Sequence, residues 1–288
     1  MGVTWRFTHC RSTLLSFALI FCAGTIAHSQ SGPLEFDPRF GLVLFQAEVN
    51  GATIGKFGID TGADGFYVSD KFARKSGLRV SEPDQTRVVR GVVGSSPVAH
   101  ATFRSFAIGE ETLYNLPVEV INLDLLSGRK AELDGLVGFS VLRNFYVTID
   151  YPSQSIELFT QEPKLLKANS NMTGSFSLRN HLIVVDVSLN GGGAYSMVID
   201  YCASSSLIIP EIASQFGSAS TDEYLEIDSA RVGPLAVGKS RFWIKPLSSF
   251  KESSAWQGVV GIIGFPFLRD NRITIDYVRE KFYLHSAK

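Results

Sequence analysis

Apolar and polar residues alternate with a period of two over short stretches of this chain. Phe45, Ala47 and Val49 alternate with Gln46, Glu48 and Asn50, and the run stops at Asn50-Gly51. Val185, Val187 and Leu189 do the same before Asn190 and three glycines. Period two puts successive side chains on opposite faces of a strand, and Asn-Gly supplies the positive φ of a tight hairpin. The pattern therefore predicts short strands joined by tight turns. One short helix is expected in each half, at "DKFARKSG" and at "PEIASQFG".

The pattern occurs twice because the sequence does. Asn50-Gly51 precedes Asp60 by the spacing at which Asn190-Gly191 precedes Asp200, an offset of 140, and "FARKSG" (72–77) falls on "IASQFG" (212–217) at the same offset. "GLVGFSVLRNFYVTIDYPSQSIEL" (135–158) aligns without gaps on "GIIGFPFLRDNRITIDYVREKFYL" (261–284). A weaker match pairs "AIG" (107–109) with "AVG" (236–238), so the second copy has lost residues between its aspartate and that point. Residues 160–179 lack periodicity and read as a connector. The duplication favours two similar all-β lobes, 30–160 and 180–288 joined by 161–179, over one continuous β-sandwich.

Arg6 and Arg11, an apolar run from Leu14 to Ala27 and the small residues Ala27 and Ser29 give residues 1–29 the plan of a secretion signal. The run is short for a membrane anchor, and Phe21 is bulky for a residue preceding a lipidated Cys22. Cleavage would leave Cys202 as the only cysteine, so the mature chain would form no internal disulfide and would depend on its core. That fits a bacterial periplasmic or secreted protein. No later apolar run reaches the length of a bilayer span, so the mature chain is expected to lack one. With 45% hydrophobic and 19% charged residues, the 288 residues suffice for one large or two small packed domains. A formal charge of −1 without a basic run argues against a nucleic-acid partner. His9, His28, His100, His181 and His285 show no ligand spacing, so no metal or other cofactor is expected.

The chemistry rests on the repeated aspartates. In "GIDTGADG" an apolar strand delivers Asp60 to a turn, Gly62 lets backbone N–H groups approach the carboxylate, and Thr61 adds a short, stiff hydroxyl. Two such turns related by a pseudo-twofold axis would set Asp60 against Asp200, where both cannot ionise cheaply and a proton is shared. Such a pair can activate water for attack on an amide. One carboxylate takes the water's proton while the other donates to the carbonyl oxygen.

"DTGAD" followed by "GLVG", and "D..AS" followed by "GIIG", resembles the aspartic proteases, both the two-lobed pepsin-like enzymes and the dimeric single-lobe retropepsins. The resemblance spans nearly the whole mature chain. It implies two pseudo-twofold-related β-barrel lobes with a cleft between them, in a monomer, and a peptide or protein substrate held in extended conformation. Leu136-Val137-Gly138 and Ile262-Ile263-Gly264 would pack beneath the two turns. Asp60 and Asp200 would be catalytic, with Thr61, Gly62 and Ser204 supporting the turns. Asp64 would contact substrate, a turn-capping role being the other reading. A hairpin at 89–99 would form a flap hinged at Gly91 and Gly94, without the flap tyrosine of the pepsins.

The second turn, "VIDYCASS", departs from that family: Tyr201 replaces threonine and Cys202 replaces glycine. A tyrosine hydroxyl lies too far out to repeat the bond that the family's threonine makes to the opposite turn. Cys202 adds a Cβ and sulfur where backbone should approach the carboxylate, and disfavours a positive φ. Restoring threonine and glycine there is expected to raise activity. The sequence leaves open a working endopeptidase, a degenerate protein whose cleft binds peptide, and an envelope structural protein with a vestigial cleft. Cys202 reads as a small apolar residue rather than a nucleophile, since nothing in the sequence sets a base such as His181 beside it. Asp150 and Asp276 of the repeated "TIDY" read as turn residues rather than as a second acid pair.

Overall fold

The computed structural model describes residues 33–91, 94–127, 133–168, 172–218, 220–221, 223–250 and 253–285. The segment expected to be a secretion signal lies outside them. In the first half, strands follow the order Leu44–Val49, Thr53–Ile59, Gly135–Val137, Phe66–Ser69, Glu111–Ile121, Ser95–Ile108 and Asp84–Arg90. Leu44–Val49 also pairs with Ser95–Ile108, through Glu48↔Ala107 and Val49↔Phe106, which closes six of the strands into a barrel. Its interior is aromatic. Phe57, Phe66, Phe72, Phe103 and Phe106 are fully buried, and their rings meet at centroid distances of 4.9–6.0 Å. Burial of each contributes about 2–3 kcal/mol.

The second half repeats the plan with shorter strands, in the order Tyr224–Ile227, Ser240–Ile244, Ser206–Ile208, Gly261–Ile263, Gly192–Ile199, Leu182–Leu189, Ala230–Val232 and Leu235–Val237. This sheet curls without closing. The two halves are all-β lobes, as the alternation and duplication lead one to expect. Each expected helix is present: Asp70–Lys75 is capped by the Ser69 hydroxyl, which accepts from the Phe72 amide at 3.0 Å, and Pro210–Ala213 begins on a proline.

A third sheet of six strands joins the lobes, in the order Leu34–Glu35, Ser155–Phe159, Tyr146–Asp150, Arg272–Asp276, Lys281–His285 and Thr173–Ser175. Its central pair is the two copies of the "TIDY" strand, with Thr148 opposite Thr274 and their hydroxyls 2.7 Å apart in the core. The pseudo-twofold axis passes there. Asp150 and Asp276 cap the following hairpins: Asp150 Oδ1 accepts the Ser153 amide at 3.0 Å, and Asp276 Oδ1 accepts those of Val278 and Arg279, both at 3.0 Å.

Two features of the repeat escape sequence alignment. Thr173–Ser175, inside the aperiodic stretch, pairs with Lys281–His285 as Leu34–Glu35 pairs with Ser155–Phe159. Three residues cannot display a period, and Gly174 is needed there because a Cβ would meet the Phe282 ring at 2.0 Å. Residues 107–109 correspond to 231–233, not to 236–238. The Gly109 turn links Ile108 to Glu111 as the Gly233 turn links Val232 to Leu235, and both glycines have positive φ. Asn50 and Asn190 confirm the register, since each side-chain oxygen accepts two consecutive amides, Arg104 and Ser105 in the first copy and Asp228 and Ser229 in the second. The "AVG" match arose from composition alone.

Candidate active site

Parallel pairing under each turn delivers the aspartates. Ile59 pairs with Val137 and Ile199 with Ile263, and the next residues continue the ladder: the Asp60 amide donates to the Val137 carbonyl at 3.0 Å, and the Asp200 amide to the Ile263 carbonyl at 2.9 Å. The glycines beneath are sterically required. A Cβ on Gly138 would lie 2.4 Å from the Gly65 carbonyl oxygen, and one on Gly264 would lie 2.5 Å from that of Ala203. The Gly264 amide donates to the buried Ser206 hydroxyl at 3.1 Å. Ser204 sits half-buried on the turn itself, so Ser206 braces the second glycine segment, a role that its apolar-looking strand context "SSLII" conceals.

Both turns hold their carboxylates in the same way. The Gly62 amide donates to Asp60 Oδ1 at 3.0 Å and the Cys202 amide to Asp200 Oδ1 at 2.7 Å. Neither Gly62 nor Cys202 has a positive φ. The expected backbone penalty for cysteine is therefore absent, and the difference between the turns is one of space. A Cβ on Gly62 would lie 3.1 Å from Asp200 Oδ2 and 3.4 Å from Asp60 Oδ1, so both carboxylates border the gap that this glycine leaves. From the other side the Cys202 thiol donates to Asp60. One side chain fits between the turns, and Cys202 supplies it.

Thr61 ties the two turns together. Its buried hydroxyl donates to the Ile199 carbonyl at 2.9 Å and accepts the Tyr201 amide at 3.1 Å. Tyr201 returns neither bond. Its ring is buried, stacked on Tyr151 with centroids 6.0 Å apart, and its hydroxyl has no partner among the described residues.

Both carboxyl groups are held above the ordinary carboxylate range. Burial is the main cause for each, and repulsion from Asp200 pushes Asp60 further. The amides of Gly62 and Ala63 and the thiol of Cys202 pull Asp60 partly back, as the amides of Cys202 and Ala203 do Asp200. Both aspartates are half-buried residues. A pair of this kind keeps one proton at neutral pH. Among the described residues no cluster of histidine, cysteine or acidic side chains has the arrangement of a metal site.

Asp64 is exposed at the end of the first turn, where the buried Tyr67 hydroxyl donates to its Oδ1. His181, which sequence reasoning could not place, lies against the first turn: its ring donates to the Gly62 carbonyl, and Asp64 is close enough to act on it. Burial pushes its pKa down. Gly91 and Gly94 close the hairpin tip, with the Gly91 amide donating to the Gly94 carbonyl at 2.8 Å. A Cβ on Gly94 would lie 2.3 Å from the Leu125 carbonyl oxygen, so this glycine permits close contact with the helix Leu123–Ser127.

Residues 45–141 match the family model of the aspartyl proteases. That match lies within the first copy. Among solved structures it is similar to the aspartic proteinase from Irpex lacteus, with 14% identity, a TM-score of 0.60, and coverage of 89% of this chain and 97% of that one. It also matches a retropepsin-like aspartic protease from Rickettsia conorii at 24% identity and a TM-score of 0.34, over 43% of this chain and 95% of that one. No curated protein sequence matches significantly. The two-lobed aspartic protease fold is thus present over both copies, while the family model covers the first.

Proposed function

We propose that this chain is an exported aspartic-type endopeptidase that hydrolyses peptide bonds through water activated by Asp60 and Asp200. The reading is carried by one observation: both carboxylates border the space at Gly62, each held by the amide two residues on. In the one-proton state the ionised member accepts a proton from water as the oxygen attacks the amide carbon. The protonated member donates to the carbonyl oxygen, and the collapse of the tetrahedral intermediate passes a proton to the leaving amine. The substrate is an extended peptide between the lobes, with Asp64 and the hairpin at Gly91 and Gly94 as contacts. Both aspartates come from one chain, so a monomer suffices. Among the described residues no helix is long and apolar enough to cross a membrane. The leader-like residues 1–29 support a periplasmic or secreted location.

A peptide-binding module is the second reading. The Cys202 thiol favours it, because that thiol uses a hydrogen-bonding position on Asp60 that an activated water would otherwise take. The two readings separate in an assay of the mature chain on unfolded protein at acid and neutral pH, beside Asp60→Asn and Asp200→Asn. Cleavage lost in both variants supports the endopeptidase; cleavage absent in the parent, or surviving both substitutions, removes it.

A further inference from the structure

One backbone turn recurs in both copies and crosses to the opposite aspartate turn. Phe40 and Asn180 occupy it, with φ of 65° and 55°. The following residue in the first copy is Gly41, where a Cβ would meet Phe265 at 3.0 Å; the Phe265 amide in turn donates to the Ala203 carbonyl at 2.8 Å. In the second copy that residue is His181, and it reaches Gly62 and Asp64. Only one of the two crossings therefore carries a functional side chain.

We infer that His181 and Asp64 form a side-chain subsite that selects a cationic residue, lysine or arginine, in the bound peptide. The inference rests on the reading of the cleft as a peptide site. Both groups are held in place. Tyr67, 3% exposed and strongly disfavoured from ionising by burial, is a constant donor to Asp64 Oδ1; among the described residues Oδ2 takes no protein donor. His181 spends one ring nitrogen on the Gly62 carbonyl, and the other nitrogen of a neutral imidazole is an acceptor. The subsite thus presents two acceptors and one negative charge. An amide would satisfy the acceptors, but an ammonium or guanidinium also meets the charge. Of the other charged groups around Asp64 and Tyr67, Glu119 is paired with Arg87, so each is largely occupied by the other.

The test is a set of fluorescent peptides of one apolar sequence, in which a single lysine is walked through the positions flanking the centre and compared with norleucine. Binding to the full chain is read by anisotropy and cleavage is read separately. One lysine position is expected to bind about fivefold more tightly than norleucine, the scale of a solvent-exposed ion pair. Asp64→Asn and His181→Leu should bring that ratio close to one. His181→Gln, which keeps a donor and an acceptor, should retain part of it, and His181→Lys should reverse it in favour of glutamate. No preference at any position, including no binding of either peptide, overturns the subsite, as does a preference that survives Asp64→Asn and His181→Lys. Lysine-selective binding without cleavage keeps the subsite and removes the endopeptidase; cleavage without selectivity does the converse.

Discussion

The Thr61 hydroxyl and the Tyr201 amide, 140 residues apart in sequence, meet at 3.1 Å in the core between the two aspartate turns. Because the same hydroxyl also donates to the Ile199 carbonyl, one side chain of the first lobe satisfies two backbone groups of the second. Tyr201, at the matching position of the second turn, returns neither bond, so this particular tie between the turns rests on Thr61.

Removing that hydroxyl leaves a buried carbonyl and a buried amide without partners. Thr61→Ala should cost about 2–4 kcal/mol of stability in denaturant unfolding, with cleavage falling at least in proportion. Thr61→Ser should retain most of both. A Thr61→Ala chain as stable as its parent would mean that the hydroxyl does not tie the lobes.

Gly62 leaves a narrow gap bordered by both carboxylates, so a side chain there should harm chemistry more than folding. Gly62→Ala places a Cβ 3.1 Å from Asp200 Oδ2. The expected result is a loss of cleavage of about a hundredfold, as for roughly 1 Å of displacement, with stability changed by less than about 1 kcal/mol. Kinetics and thermal unfolding on the same preparation decide it.

Tyr201 acts through its ring. Tyr201→Phe removes a buried hydroxyl that has no partner among the described residues and should be neutral or slightly stabilising, by up to about 1 kcal/mol. Tyr201→Thr leaves a hole against Tyr151 and should cost about 3–5 kcal/mol. Restoring the family's threonine is thus expected to weaken the fold, a cost that the gain in activity expected from the motif does not include. Unfolding midpoints of the two variants, with opposite signs expected, are the measurement.

The raised pKa values of the aspartate pair imply a sign for stability against pH. A carboxyl whose pKa is higher in the folded state keeps its proton there after the unfolded chain has lost it. Between the ordinary carboxyl pKa and the folded one, the folded state therefore binds more protons, and stability falls as pH rises. Asp60→Asn removes the ionisable group. It should stabilise by about 2 kcal/mol at pH 8 and make no difference near pH 3, where both states of the parent are protonated. A stabilisation that is the same at both pH values would show that the cause is not ionisation.

Much of this was legible in the sequence because repetition and periodicity are local properties. Strand alternation before Asn50 and Asn190, the glycines of the two downstream segments and the apolar leads into Asp60 and Asp200 each state their own geometry, and their recurrence at fixed spacing called for two lobes. Composition excluded nothing about the site but did argue against nucleic acid. The strand Thr173–Ser175 was hidden because three residues hold no period, and the 107–109 correspondence was misread because small apolar triplets recur by chance.

What only the tertiary structure decided were relations between residues far apart in the chain. The tolerance of Cys202 depends on the gap left by Gly62, and the burial of Tyr201 depends on Tyr151. The approach of His181 to Gly62 depends on a turn that crosses from one lobe to the other. A sequence specifies which backbone conformations each segment prefers, whereas the contents of a cleft between two lobes follow from packing two such segments against each other.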